Sequence, residues 1–234
     1  RAEIGYLEKA TNAQLDDKTA NAGYNNWTKY ARDLDKLGVY NFPKNGYEWC
    51  DMFVDWCLIQ TFGLETAWKM TGQELRGLGA GCTFSAQYYA KIGRLYRNNP
   101  QPGDQIFFSR DNGASMYHTG LVEKVENGYV CTIEGNTSSA YGVVANGGGV
   151  SRKRYPLSYG QIGGYGRPDW SLVEGKIEET EEDENMTLDK FKELMKEYRA
   201  ELQDNDCGAW SRDARDWAIA SGLINGTGTT ATGE

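Results

Sequence analysis

Histidine is almost missing from this chain: among 234 residues there is one, His118. Any imidazole chemistry must run through it, and a zinc site of the usual kind is excluded, since no Cys-x-x-Cys pair occurs either. An Asp-rich calcium loop of the EF-hand type is absent, and so is a phosphate-cradling glycine loop ahead of a helix. The glycines after Asn146 precede a strand-like run and read as a turn. No apolar run approaches the ~18–20 residues of a membrane span. The first residues, Arg1 to Lys9, lack the hydrophobic core of a secretory signal, which sets the expectation of a chain made without an export signal and not inserted in a membrane. The net charge of -8 argues against nucleic acid and anionic membranes as partners. Much of that charge is local: seven acids between Glu174 and Glu184 stand against Lys176, so the other segments are close to neutral. The cysteines are five, an odd number without the dense spacing of a disulfide scaffold, which points to synthesis in a reducing compartment with at least one free thiol.

What is present fits one packed domain with a smaller appendage. Trp27, Tyr30, Ala31, Leu34 and Leu37 recur at helical spacing and stop at Gly38, which predicts an amphipathic helix over 26–37. The run from Trp49 to Phe62, closed by Gly63, is apolar on nearly all sides, as a helix packed under a sheet would be. A further helix is predicted over 83–92. From Pro102 the texture changes to alternation and turns, with strands expected at 104–109, 118–125, 129–134, 149–155 and 161–165. Asn127-Gly128 between the second and third is the signature of a tight antiparallel hairpin. Helices first and a strand meander afterwards make an α+β fold, with helices on an antiparallel sheet. Residues 171–185 are polar, acidic and aperiodic and read as a linker. In 186–234, Leu188, Phe191, Leu194, Met195, Tyr198 and Leu202, then Ala214, Trp217 and Ala218, predict a small helical hairpin.

The chemistry-bearing residues are Cys50, at the amino end of the apolar helix, and His118, at the start of a strand. Unpaired backbone N–H groups and the helix dipole favour a thiolate at such a position. Cys57, Cys82 and Cys131 read as buried structural cysteines. Glu134 and Asn136 end the strand that the Asn-Gly turn returns toward His118. Counting symmetrically from the turn sets Glu134 opposite Leu121 and points it away from His118's face; a bulge associated with a three-residue loop would shift the register by one and restore a shared face. A thiol, an imidazole and a carboxylate in that relation are a cysteine nucleophile, its base and the group that orients the base. Tyr47, Trp49, Phe84, Tyr88, Tyr89, Tyr117 and Tyr141 are candidate walls of a substrate groove, with roughly half expected to be core instead.

The run Tyr47-Glu-Trp-Cys50-Asp-Met-Phe-Val-Asp-Trp-Cys57, then Pro102-Gly-Asp-Gln-Ile-Phe-Phe108, His118-Thr-Gly-Leu-Val-Glu-Lys-Val125 and Thr132-Ile-Glu-Gly-Asn136 resembles the CHAP domain, the cysteine- and histidine-dependent amidohydrolase/peptidase of bacterial cell-wall lysis, in particular its phage-endolysin versions. The resemblance implies a papain-like α+β catalytic domain over 1–170 that hydrolyses an amide bond of peptidoglycan. It implies Cys50 as nucleophile, His118 as general base and acid, Glu134 as the orienting group and Asn136 as a supporting polar residue; of the aromatic candidates, Tyr47, Trp49 and Tyr117 are the ones expected against substrate. As in an endolysin, the protein would be made in a host cytoplasm and act at the cell wall. Some members bind calcium just before the nucleophile; Asn41 to Gly46 lacks the aspartates and carries Lys44, so no metal or cofactor is expected. Many members have Gln before the nucleophile where this chain has Trp49, which leaves the backbone N–H of Cys50 as the candidate oxyanion donor. Ala209 to Gly228 resembles the first half of an S-layer-homology repeat, which implies docking of 186–234 on a secondary cell-wall polymer. The rival readings are a thiol amidase or transferase on a small amide, and a catalytically inactive wall-binding module.

Overall fold

The computed structural model describes residues 1–138, 148–173, 196 and 216–222. The chain divides into two compact units, Arg1–Glu174 and Gly175–Glu234. In the second, residues 216–220 are helical; the other residues of the expected hairpin, and nearly all of the acidic linker, lie outside the described residues, as does Tyr141.

The first unit is α+β. Four helices, α1 (Lys29–Leu37), α2 (Cys50–Phe62), α3 (Leu64–Thr71) and α4 (Cys82–Lys91), precede or flank a six-stranded antiparallel sheet of β1 (Leu95–Tyr96), β2 (Gln105–Phe108), β3 (His118–Glu126), β4 (Tyr129–Thr137), β5 (Gly149–Pro156) and β6 (Ile162–Gly166), in the order β1-β6-β2-β3-β4-β5. Helices on an antiparallel sheet are the arrangement of a papain-like CHAP fold.

Each predicted helix ends where its chemistry says it should. In α1, Thr28 accepts a hydrogen bond from the Ala31 N–H, and Gly38 closes the other end at φ 62°. Helix α2 buries Met52, Phe53, Val54, Leu58 and Ile59, so its apolar character is matched by cover around most of the circumference, with Gln60 and Thr61 exposed near its end. Burial of Met52 and Phe53 contributes about 1.5–3 kcal/mol each. Its approach to the sheet is close: a β-carbon on Gly135 of β4 would lie 2.6 Å from Phe53 Cβ. Helix α3 is absent from the sequence expectation. It starts immediately after Gly63 (φ 78°), where the apolar run reads as finished.

The register of the β3–β4 hairpin decides the geometry of the site. Glu126 pairs with Tyr129 across Asn127 (φ 50°) and Gly128 (φ 77°), a two-residue turn with both central residues left-handed. The pairing runs Val125 to Val130 and Lys124 to Cys131, then resumes with Val122 opposite Thr132 and Leu121 opposite Ile133. Glu123 is therefore the extra residue of a bulge within β3, so the one-residue shift comes from the strand and not from a three-residue loop. That shift brings Glu134 over Gly120, where a β-carbon would overlap Glu134 Cγ. Since His118 and Gly120 share a face, Glu134 shares it too.

Residues before α1 complete the unit. Gly5 and Glu8 donate backbone hydrogen bonds to Val150 and Gly148, and Val150 donates back to Tyr6, so this segment runs along the outer edge of β5. It delivers Tyr6 into an aromatic cluster with Tyr30, Trp49 and Phe53, in which Tyr30 stacks on Trp49 with ring centres 5.5 Å apart.

Candidate active site

Cys50 is the first residue of α2, and its sulfur is buried save for 6% of the residue's surface. The first intrahelical bond of α2 runs from the Phe53 N–H to the Trp49 carbonyl, which leaves the N–H groups of Cys50, Asp51 and Met52 without helical acceptors. The Asp51 N–H is directed at the Cys50 sulfur. Trp49 caps no helix group with its side chain.

His118 opens β3 and stacks on Phe108, its cross-strand partner, with ring centres 5.7 Å apart. The ring is held from two sides. Its Nε2 lies 2.9 Å from Glu134 Oε2, and the imidazole also hydrogen-bonds the Cys50 sulfur, which leaves Nδ1 for that contact. Glu134 is fully buried and fixed in turn: Thr132 Oγ1 donates to its Oε1 at 2.5 Å, and Tyr155 donates its phenolic proton to Oε2 at 3.3 Å. Thr132, Glu134 and Tyr155 thus form a cradle that aims the carboxylate.

The electrostatics favour an ion pair. The Cys50 thiol is held well below its ordinary range by a hydrogen bond from Cys82 and by the hydrogen bond and charge of His118, which together outweigh burial. For His118, burial works against the charged ring, but hydrogen bonds to Cys50 and Glu134 and their negative charges prevail and raise it to about 10. Near neutral pH the pair is thiolate and imidazolium.

Behind the sulfur lies a buried polar network. Asp51 accepts from Ser85 Oγ at 2.7 Å and from Gln105 Nε2 at 2.9 Å, and Gln105 reaches Thr119 Oγ1 at 3.1 Å. One helical turn on, Asp55 accepts from Tyr40 at 2.7 Å and Gln73 at 2.6 Å. Burial, with the neighbouring charge of Asp55, pushes the Asp51 carboxyl well above the usual range, and burial raises Asp55 to about 6. These contacts lock the first turns of α2 and α4 to each other and to β2.

The remaining candidates divide. Tyr47 and Tyr117 are exposed, at 57% and 40%; Phe42 packs edge-on against Tyr47, and Tyr117 donates to Gln161 Oε1 at 2.6 Å. Trp49 is corrected: it is fully buried, and its indole N–H donates to Glu8 Oε2 at 2.9 Å, so it faces the core and not a groove. The same bond removes it as a side-chain donor to an oxyanion. Asn136 sits at φ 51° in the irregular end of β4, and its buried Oδ1 has no hydrogen-bond partner among the described residues, so the structure does not join it to His118. Phe84 is exposed and Tyr89 fully buried. Among the described residues, no three His, Cys, Asp or Glu side chains converge as a metal site.

Sequence reasoning overlooked Thr132, Tyr155, Asp51 and, above all, Cys82. Read from sequence as structural, Cys82 is the first residue of α4, and its sulfur lies 3.5 Å from that of Cys50 with both thiols free. Only the hydrophobic alternation of β4 and β5 carried any advance sign of Thr132 and Tyr155; nothing in the sequence pairs the two cysteines.

Among solved structures the chain is similar to the crystal structure of Ly7917 and to the crystal structure of Ly7917 with the hydrolyzing product of MDP. Each is 22% identical with a TM-score of 0.24, over 32% of this chain and 30% of that one. The alignment thus spans less than a third of the length of those chains. No curated protein matches. The family model described as the CHAP domain matches residues 42–136, a span that includes Cys50, His118, Glu134 and Asn136. The arrangement of helices on an antiparallel sheet agrees with that match, and the fold continues beyond residues 42–136 on both sides.

Proposed function

We propose that the protein is a cysteine-dependent peptidoglycan hydrolase of the endolysin type, cleaving an amide bond of the bacterial cell wall as an N-acetylmuramoyl-L-alanine amidase or a peptide endopeptidase. The observation that carries this reading is the hydrogen-bonded line from Cys50 through His118 to Glu134, inside a domain whose family performs amidohydrolase or peptidase chemistry. The Cys50 thiolate attacks the amide carbonyl, and the oxyanion that develops meets the backbone N–H of Cys50 at the amino end of α2. His118 as imidazolium gives its proton to the leaving amine, which departs and leaves a thioester on Cys50. The neutral ring then takes a proton from water. Hydroxide adds to the thioester, and collapse releases the acid and returns the thiolate. Glu134 holds the ring in one orientation and stabilises its positive form. Tyr47 and Tyr117, exposed aromatic rings, are the residues proposed to meet the glycan-peptide. Docking of residues 186–234 on a secondary wall polymer belongs to the same reading.

The test is the Cys50→Ala variant against purified cell walls. Circular dichroism should be unchanged and clearing of the suspension lost; undiminished clearing overturns the mechanism. Mass analysis of fragments from a peptidoglycan of known cross-links identifies the bond cut. Thiol-dependent turnover of small amides without wall fragments would favour the amidase or transferase alternative.

A further inference from the structure

Two of the four helices of the first unit begin with a cysteine, and those two cysteines meet. Cys50 and Cys82 are 32 residues apart in sequence, each is the first residue of its helix, and their sulfurs are 3.5 Å apart, within hydrogen-bonding distance for sulfur and without a covalent bond. We propose that Cys82 is a positioning residue of the reaction, its S–H donating the hydrogen bond that holds the Cys50 sulfur as the attacking thiolate. This rests on the assignment of Cys50 as nucleophile made above.

The surroundings decide which sulfur keeps the proton. Around Cys50 stand the His118 imidazole from β3, with Glu134 of β4 behind it, and the Asp51 N–H of its own helix, all arranged to favour a negative sulfur. Around Cys82 the titratable neighbours are Cys50 and Asp51, and its packing partners, Ala86, Tyr89 and Phe107, are apolar or fully buried. A charge on Cys82 would be both desolvated and repelled, so its thiol stays protonated and serves as the donor.

The contact is built and not incidental. Ser85, one turn into α4, donates to Asp51, one residue into α2, at 2.7 Å; this ties together the two helix starts that carry the sulfurs. Thr83, next to Cys82, accepts from the Met116 N–H at 2.9 Å and donates to the Met116 carbonyl at 3.2 Å, anchoring α4 to the loop that ends at His118. The same clamp therefore sets the distance between sulfurs and the approach of the imidazole.

Serine and alanine at position 82 separate a donor from a filler. Alkylation of Cys50 by iodoacetamide under reductant, followed by peptide mass spectrometry across pH, reads the thiolate directly and needs no wall substrate. In Cys82→Ala the pH midpoint of alkylation should rise by about one pH unit, a tenfold loss of thiolate on the acid side. Cys82→Ser, which keeps a hydroxyl donor, should stay near the wild-type midpoint. Wall clearing by Cys82→Ala should fall at low pH and converge on wild type at high pH. An unshifted midpoint in Cys82→Ala overturns the proposal, and so do equal shifts in the two variants, which would mark the side chain as packing alone. Cys82→Ser, nearly isosteric, keeps the test decisive should the alanine variant fold poorly, because a rise in its midpoint equally contradicts the donor role. A shifted alkylation midpoint in a protein that releases no wall fragments would leave this assignment standing and remove the hydrolase reading instead.

Discussion

Replacing Glu134 by Gln removes one charge at the centre of the relay while keeping the volume of the side chain. In the native protein Glu134 is fully buried, accepts from Thr132 and Tyr155, and faces His118 Nε2 at 2.9 Å. The amide oxygen can retain the Thr132 bond, but the amide N–H group then confronts the imidazole N–H, donor against donor. What is lost is a hydrogen bond between charged partners, worth about 1.5–3 kcal/mol, or about one to two pH units on the imidazole. Cys50 supplies the other part of the upward shift and remains. His118, held at about 10 in the native protein, should therefore titrate about one to two pH units lower in Glu134→Gln. The readout is clean because the chain has a single histidine, so a proton NMR titration follows one Hε1 signal. Wall hydrolysis at neutral pH should drop ~10- to 100-fold through loss of ring orientation and charge stabilisation. An unchanged imidazole midpoint would refute the relay as drawn, whatever happened to activity.

The ion pair also dictates a pH profile. The proposed mechanism requires a deprotonated Cys50 and a protonated His118, so the alkaline limb should fall near pH 10, where the imidazolium loses the proton meant for the leaving amine, and the acid limb should lie well below the range of an ordinary thiol. A profile rising through about pH 8.5, as for an unassisted thiol, would contradict the pair. Gly120→Ala puts a methyl group against Glu134 Cγ; it should lower stability by about 1–3 kcal/mol and also lower the His118 midpoint, both absent if the β3 bulge does not set the register as described.

Much of this architecture was readable in advance where one residue type answers to one physical demand. The apolar run after Trp49 is a helix because all but its last turn is largely covered, and Asn127-Gly128 is a two-residue turn because both positions need left-handed backbone. Legibility stops where the cause is a contact distant in sequence. The bulge at Glu123 has no signature of its own in the sequence, yet it alone brings Glu134 to His118's face. Trp49 reads as a groove residue because its position beside Cys50 is visible in the sequence and its partner Glu8, 41 residues earlier, is not. Cys82 reads as packing for the same reason: the Ser85–Asp51 bond that draws its helix to Cys50 spans 34 residues. The short α3 escaped because Gly63 both ends one helix and begins the next.

The segment that runs along β5 before the first helix has a practical consequence for moving the site into another protein. A cassette cut to residues 42 and 136 would carry the whole Cys50–His118–Glu134 line and still be a poor graft. It would leave Trp49 without the ring of Tyr30 and its indole without Glu8, strip β4 of its partner β5, and bare the β2 edge that β6 covers. The transplantable piece is instead the compact unit Arg1–Glu174, whose residues outside 42–136 hold the helix of Cys50 in place.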